Sequence, residues 1–91
     1  MMKLNPKMKV REVAGEHIAM RVGGDGTDLT TVIALNESSM LLYNHLKERP
    51  FTADDAVAVL LDNYDVDEAT ARHDVEEWVQ AMRRNMMLAD E

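Results

Sequence analysis

Residues 29–39 read LTTVIALNESS, and within them the spacing of apolar residues changes from that of a strand to that of a helix. The first seven of these residues carry no charge and place β-branched side chains on both faces, which favours a strand contacted on two sides. Asn36 comes next and suits the N-cap of a helix, with Glu37 at the positive end of the helix dipole. This stretch therefore divides the chain into a strand-forming part and a helix-forming part.

The N-terminal part alternates with a period of two residues, which is typical of antiparallel strands. We predict strands at about residues 8–13, 17–22 and 29–35, joined by turns that contain glycine. In the second of these strands the alternation predicts one apolar face and one wet face. Its apolar face is expected to hold Ile18, Met20 and Val22, and its wet face His17, Ala19 and Arg21.

The C-terminal part has a period of about 3.6 residues and caps that bracket three helices. Pro50 prevents the first helix from continuing, Thr52 with Asp55 resembles a capping box, and Asp67 can cap the last helix. We predict helices at about residues 37–48, 53–63 and 68–84. The sequence thus predicts an α+β, winged-helix-like fold for a single domain of residues 1–91, with a three-stranded antiparallel sheet followed by three helices in the order βββααα.

Length and charge exclude several classes of protein. Ninety-one residues form one domain, so a multi-lobed enzyme is excluded. The net charge of -7 divides into +1 over residues 1–35 and -8 over residues 36–91, so the helical part is a poor surface for nucleic acid or an anionic membrane. The chain has no cysteine, no signal-peptide pattern and no apolar run long enough to span a membrane, and we expect a cytoplasmic protein.

The polar motifs do not combine into a reactive site. The glycine-rich residues 23–28 match one calcium-binding repeat, but that site needs stacked copies. The acidic residues 62–68 lack EF-hand spacing, and His17, His45 and His73 fall on three different predicted elements. We therefore predict no catalytic residue, no metal site, no cofactor and no enzyme activity.

The third predicted strand lies at the edge of a three-strand meander and lacks the Lys or Pro that discourages further pairing. Such an edge favours β-augmentation, the addition of an extended peptide as a further strand. Two alternatives remain open at this point. One is a winged-helix protein that binds DNA or assists transcription, which the acidic helices disfavour, and the other is a homodimer or interaction module in which the edge pairs with itself.

Several short motifs, in this order, carry a resemblance to a known family. They are Leu35-Asn36-Glu37-Ser38-Ser39, then Leu42, Tyr43 and Leu46, then Phe51-Thr52, Tyr64-Asp65-Val66-Asp67, Asp74-Val75 and Met87-Leu88. Over about residues 8–88 the chain resembles the PqqD-like proteins, peptide-binding modules also called RiPP recognition elements. It departs from the family pattern at Arg49-Pro50-Phe51, where the family often has Asp-Gly, and at Asn85, where it often has Gly.

The resemblance implies a non-catalytic, cytoplasmic chaperone for the leader segment of a ribosomally synthesised precursor peptide. The leader would add as a strand and be presented to a modifying enzyme, commonly a radical SAM protein. On the strand, the implied contacts are Thr30, Thr31, Val32, Ile33 and Ala34. For the third helix, we infer a stripe beside the core face made of Arg72, Glu76, Val79 and Arg83.

Overall fold

The computed structural model describes residues 1–21 and 31–90, which form two small sheets and three helices. In chain order the elements are β1 (Met2–Leu4), β2 (Met8–Val13), β3 (Glu16–Arg21), β4 (Thr31–Leu35), α1 (Glu37–Leu46), α2 (Ala53–Asn63), α3 (Glu68–Arg84) and β5 (Leu88–Asp90). The predicted antiparallel sheet followed by three helices is confirmed. Residues 22–30 lie outside the described residues, and with them the predicted strand positions Val22, Leu29 and Thr30.

The three-stranded sheet has the order β2-β3-β4, and both pairs are antiparallel. β2 and β3 are joined by a tight turn in which Ala14 and Gly15 have φ angles of 53° and 84°. Positive φ at both central residues is characteristic of the hairpin turn whose twist matches the two strands. The turn fixes the register, in which Val13 lies opposite Glu16.

The face prediction for β3 is wrong. Ala19, predicted to be wet, is fully buried, and it lies between Val10 of β2 and Ile33 of β4. Ile18 and Met20 lie on the opposite face and are half-buried there. Both faces of β3 carry apolar residues, so alternation alone does not identify the inner one.

A second sheet, which the sequence did not predict, joins the two ends of the described chain. β1 pairs with β5 in antiparallel register, with Leu4 opposite Leu88. Met2 and Phe51 also exchange backbone hydrogen bonds of 2.8 and 2.7 Å. The predicted order βββααα is thus incomplete by one strand at each end, because strands of three residues are too short to show a period.

The core lies where the three helices meet the inner face of the sheet. Phe51, which precedes α2, is fully buried, and its ring centroid is 5.9 Å from that of Trp78 on α3. The core also includes the buried residues Leu35, Leu42, Leu46, Leu60, Val75, Met82 and Met87. Among the described residues, no helix is both long and apolar enough to cross a membrane.

The predicted caps of all three helices are present. The side chain of Asn36 accepts a hydrogen bond of 2.8 Å from the Ser39 backbone N–H, and α1 ends at residue 46 rather than the predicted 48. Thr52 and Asp55 form the predicted capping box, with hydrogen bonds of 2.9 and 3.1 Å. α2 and α3 have the predicted bounds. Local side-chain to backbone bonding therefore decides where these helices begin.

We expect Thr52→Ala to lower the free energy of unfolding by about 1 kcal/mol, because the first turn of α2 loses a hydrogen-bond acceptor. Thr52→Ser keeps the hydroxyl and serves as the matched control. Urea unfolding followed by circular dichroism measures both variants. Equal stability of the alanine and serine variants would show that the capping box is not stabilising.

The carboxylate of Asp67 predicts a dependence of stability on pH. The backbone N–H of Thr70 donates to it at 2.7 Å, and this bond lowers the pKa of Asp67 from its ordinary 3.8. A lowered pKa means that folding favours the ionised form, so the stabilisation is present above pH 3.8 and lost as pH falls through the folded-state pKa. We expect the stability advantage of the native chain over Asp67→Ala to shrink on acidification over that range. A difference in unfolding free energy that stays constant with pH would show that the Asp67 carboxylate does not stabilise the fold in its ionised form.

Candidate functional site

β4 is an edge strand in the part of the chain that the structure describes, because it pairs only with β3. In an antiparallel pair, the backbone N–H and C=O groups of every second residue point away from the neighbouring strand. β4 carries no charged residue, whereas the other edge strand, β2, carries Lys9, Arg11 and Glu12. Charges on an edge discourage further pairing, so β4 is the less protected edge.

A cavity of about 280 Å³ lies between β4 and α3, and we call it the strand–helix groove. Its floor is apolar and is made of the buried side chains Leu35, Leu42, Leu60, Trp78 and Met82. The remaining lining residues are Ile33 and Ala34 on β4, Asn36, Ser38 and Ser39 at the start of α1, and Asp74, Glu77 and Ala81 on α3. A chain added to β4 would therefore run beside α3 above an apolar surface.

A second cavity, of about 310 Å³, continues the groove past the start of α1, and we call it the adjoining pocket. The two cavities share four residues, Asn36, Ser38, Leu60 and Asp74. The adjoining pocket adds Glu37, Tyr64 and Val66. Together the two cavities form one concave surface that extends past the C-terminal end of β4.

The charge along this surface is negative. Asp74, Glu77 and Glu37 line the two cavities, and none of the described lining residues is Lys, Arg or His. Glu77 lies 3.1 Å from the Nε2 atom of His73 on the same helix. Burial, and secondarily the charge of Glu37, raises the pKa of Tyr64. The surface therefore disfavours an anionic ligand.

Trp78 occupies a central place in the floor of the groove. Its side chain is only 6% exposed, and it is the single tryptophan of the chain. Its indole Nε1 atom is buried and has no hydrogen-bond partner among the described residues. An unused buried donor of this kind costs free energy unless a partner is supplied.

Two of the predicted strand contacts, Ile33 and Ala34, line the groove, and Val32 does not. Val32 is 51% exposed on the outer face, while Ile33 and Ala34 line the groove. Thr31 begins β4, and Thr30 lies outside the described residues.

The predicted helix stripe lies on another part of α3. Arg72 turns toward α2, where its guanidinium bonds Asp54 at 3.1 Å, and this bond together with Glu68 raises the pKa of Arg72. Glu76 and Arg83 are exposed, Val79 packs against the core, and none of these four residues lines the groove. Asp74, Glu77, Trp78 and Ala81 do so instead. The predicted stripe and the groove-lining residues therefore lie on different flanks of α3, because the two sides of the core stripe look alike in sequence until the position of α2 is known.

Possible metal ligands do not come together in the described residues, where no three His, Asp or Glu side chains are grouped to hold an ion. The groove thus offers an open strand edge, an apolar floor and carboxylates.

The family model for coenzyme PQQ synthesis protein D (PqqD) matches residues 16–88, which include β3, β4, the three helices and the whole described lining of the groove. The chain belongs to the PqqD family. The resemblance read from the short motifs is therefore confirmed. No curated protein matches the sequence of this PqqD-family chain.

Two solved structures are similar in fold to this PqqD-family chain. One is described as TbiB1 in complex with the TbiA(beta) leader peptide, with a TM-score of 0.73 and 17% sequence identity over 98% of this chain and 96% of that one. The other is a lasso peptide synthetase B1 complexed with the leader peptide, with a TM-score of 0.69 and 20% identity over 98% of each chain. At these identities the similarity establishes the shared fold.

Proposed function

We propose that this chain binds the leader segment of a ribosomally synthesised precursor peptide and presents it to a modifying enzyme. The observation that carries the proposal is the uncharged edge of β4, which no other described strand covers, beside a groove with an apolar floor. Membership of the PqqD family supports it, as do two structures of the same fold that are described as complexes with leader peptides.

In the proposed complex the leader adds as a strand next to β4. Its backbone pairs with the outward N–H and C=O groups of β4, which supplies affinity with little dependence on sequence. Because side chains alternate along a strand, every second leader residue faces the apolar floor near Leu60 and Trp78. The wall of α3, with Asp74, Glu77 and Ala81, then selects among peptides.

We assign the chemistry to the partner enzyme, so this chain acts as a non-catalytic chaperone. None of the described residues that line the two cavities is His or Cys, so no Ser–His or Cys–His pair lies there, and the Ser38 hydroxyl donates to the side chain of Asn36. A radical SAM enzyme as the partner rests on the family resemblance alone, and the cytoplasm as the location rests on that resemblance and on the sequence pattern.

Fluorescence of Trp78 provides the experiment, because the single tryptophan lies in the proposed site. The titrant is the leader segment of a short precursor peptide encoded beside the gene, and a scrambled leader is the control. We expect the native leader to change the emission of Trp78 saturably and the scrambled one not to. If neither peptide changes the emission, and calorimetry also detects no binding, the proposal is refuted.

Light scattering tests the alternative function in which β4 pairs with a second copy of the chain instead of with a leader. Leader binding at β4 requires the edge to be available, so we expect a monomer in the complex with the leader. A dimer that persists in the saturated complex would show that the peptide binds elsewhere.

A further inference from the structure

We propose that the peptide recognised by this chain carries a Lys or Arg whose charged end pairs with Asp74 while its aliphatic stem lies over Leu60 and Tyr64. The inference rests on the proposed function and specifies the ligand of the same groove. It assigns Asp74 as a residue that determines specificity.

The position of Asp74 is the first ground for this assignment. Asp74 lines both the strand–helix groove and the adjoining pocket, so it lies where the two cavities meet. Its side chain is exposed, and it makes no ion pair with any residue in 1–21 or 31–90. The nearby Glu77, in contrast, already has His73 within 3.1 Å. Asp74 is thus a carboxylate at the centre of the concave surface that can accept a cation.

The charged groups on the elements around Asp74 also favour a cationic ligand. β4 contributes no charged group, α1 contributes Glu37, and α3 contributes Glu77 on the same helical face as Asp74. Tyr64, at the end of α2, is a neutral phenol whose pKa is raised. The surface around Asp74 is therefore lined by three carboxylates and by no described Lys, Arg or His, so it attracts a cationic side chain and repels an acidic one.

The apolar surface beside Asp74 explains why the cation should be a long side chain. Leu60, Tyr64 and Val66 line the adjoining pocket next to the carboxylate. Lys and Arg side chains lie along apolar surfaces with their methylene groups and keep the charged end at a polar rim. An apolar floor with an acidic rim matches both parts of such a side chain, and a small inorganic cation would use only the rim.

Selection from a displayed library of random short peptides tests this inference. The library is selected against the native chain, Asp74→Asn, Asp74→Lys and, as a matched control, Glu76→Gln, which removes an exposed carboxylate of α3 outside the groove. Peptides that change the emission of Trp78 are retained and aligned. With the native chain and with Glu76→Gln, we expect Lys or Arg to be enriched at one aligned peptide position. With Asp74→Asn this enrichment should disappear. With Asp74→Lys the same position should be enriched in Asp or Glu instead.

A single selected peptide then measures the size of the effect. Replacing its enriched Lys or Arg by norleucine should weaken binding to the native chain about two- to fivefold, as for a partly exposed ion pair, and should leave binding to Asp74→Asn unchanged. Groove-binding peptides with no basic enrichment, or with the same enrichment on Asp74→Asn, would overturn the inference while leaving the proposed function in place. A selection that returns no groove-binding peptide would overturn both.

Discussion

Ala81→Phe is expected to weaken leader binding by about tenfold to a hundredfold, because the added ring occupies space that the peptide needs. Ala81 is half-buried on α3 and lines the groove opposite β4. Forcing extra volume into a packed contact costs about 1–3 kcal/mol, and each 1.4 kcal/mol corresponds to roughly a tenfold change in affinity. The affinity is measured by calorimetry with the leader used in the fluorescence experiment.

The matched control is Gln80→Phe, which adds a ring at the next position of the same helix. Gln80 is exposed and does not line the groove, so we expect its substitution to leave the affinity unchanged. Thermal unfolding of both variants shows whether they fold. A folded Ala81→Phe protein that binds the leader with native affinity would show that the peptide does not pass between β4 and α3.

Phe51→Ala is expected to lower the free energy of unfolding by about 3–5 kcal/mol, the usual cost of deleting a fully buried aromatic ring. Phe51 has no exposed surface, its ring contacts Trp78, and its backbone pairs with Met2. A domain of this size is stabilised by only about 5–14 kcal/mol in total, so a large share of the stability would be lost. Urea unfolding measures the change.

Leu61→Ala is the control for Phe51→Ala, because Leu61 is a large apolar residue of α2 that is 39% exposed. We expect its substitution to change the unfolding free energy by about 0.5 kcal/mol. In the leader complex, the emission band of Trp78 should also be broader for Phe51→Ala than for the native chain, because the indole loses the ring that positions it. Equal stability of the two variants would contradict the core described here.

Features of the fold that depend on local bonding could be predicted from the sequence. Asn36, Thr52 and Asp67 each bond a backbone N–H three residues later, so the residue types alone indicate where a helix begins. The uncharged sequence of β4 likewise indicated an unprotected edge before its neighbours were known. For the caps the deciding contact lies three residues from the signal, and for β4 the missing charges can be seen in the strand itself.

Features that depend on packing between distant elements could not be predicted in the same way. The inner face of β3 is set by the turn at residues 14–15 and by packing around Ala19, while Ile18 and Met20 made the other face look like the core. The groove-facing flank of α3 depends on where α2 packs, and the bond from Arg72 to Asp54 joins positions 18 residues apart. The strands β1 and β5 depend on each other across nearly the whole chain.

The central claim is that a peptide adds as a strand to β4, and contacts between backbone protons test it most directly. Isotope-filtered NMR of the labelled protein with unlabelled leader should show nuclear Overhauser effects between the leader backbone and residues 31–35. These effects should alternate along β4, because only every second residue presents its N–H and C=O groups to the added strand. Effects confined to β2, or to the exposed flank of α3 near Glu76, would contradict the account.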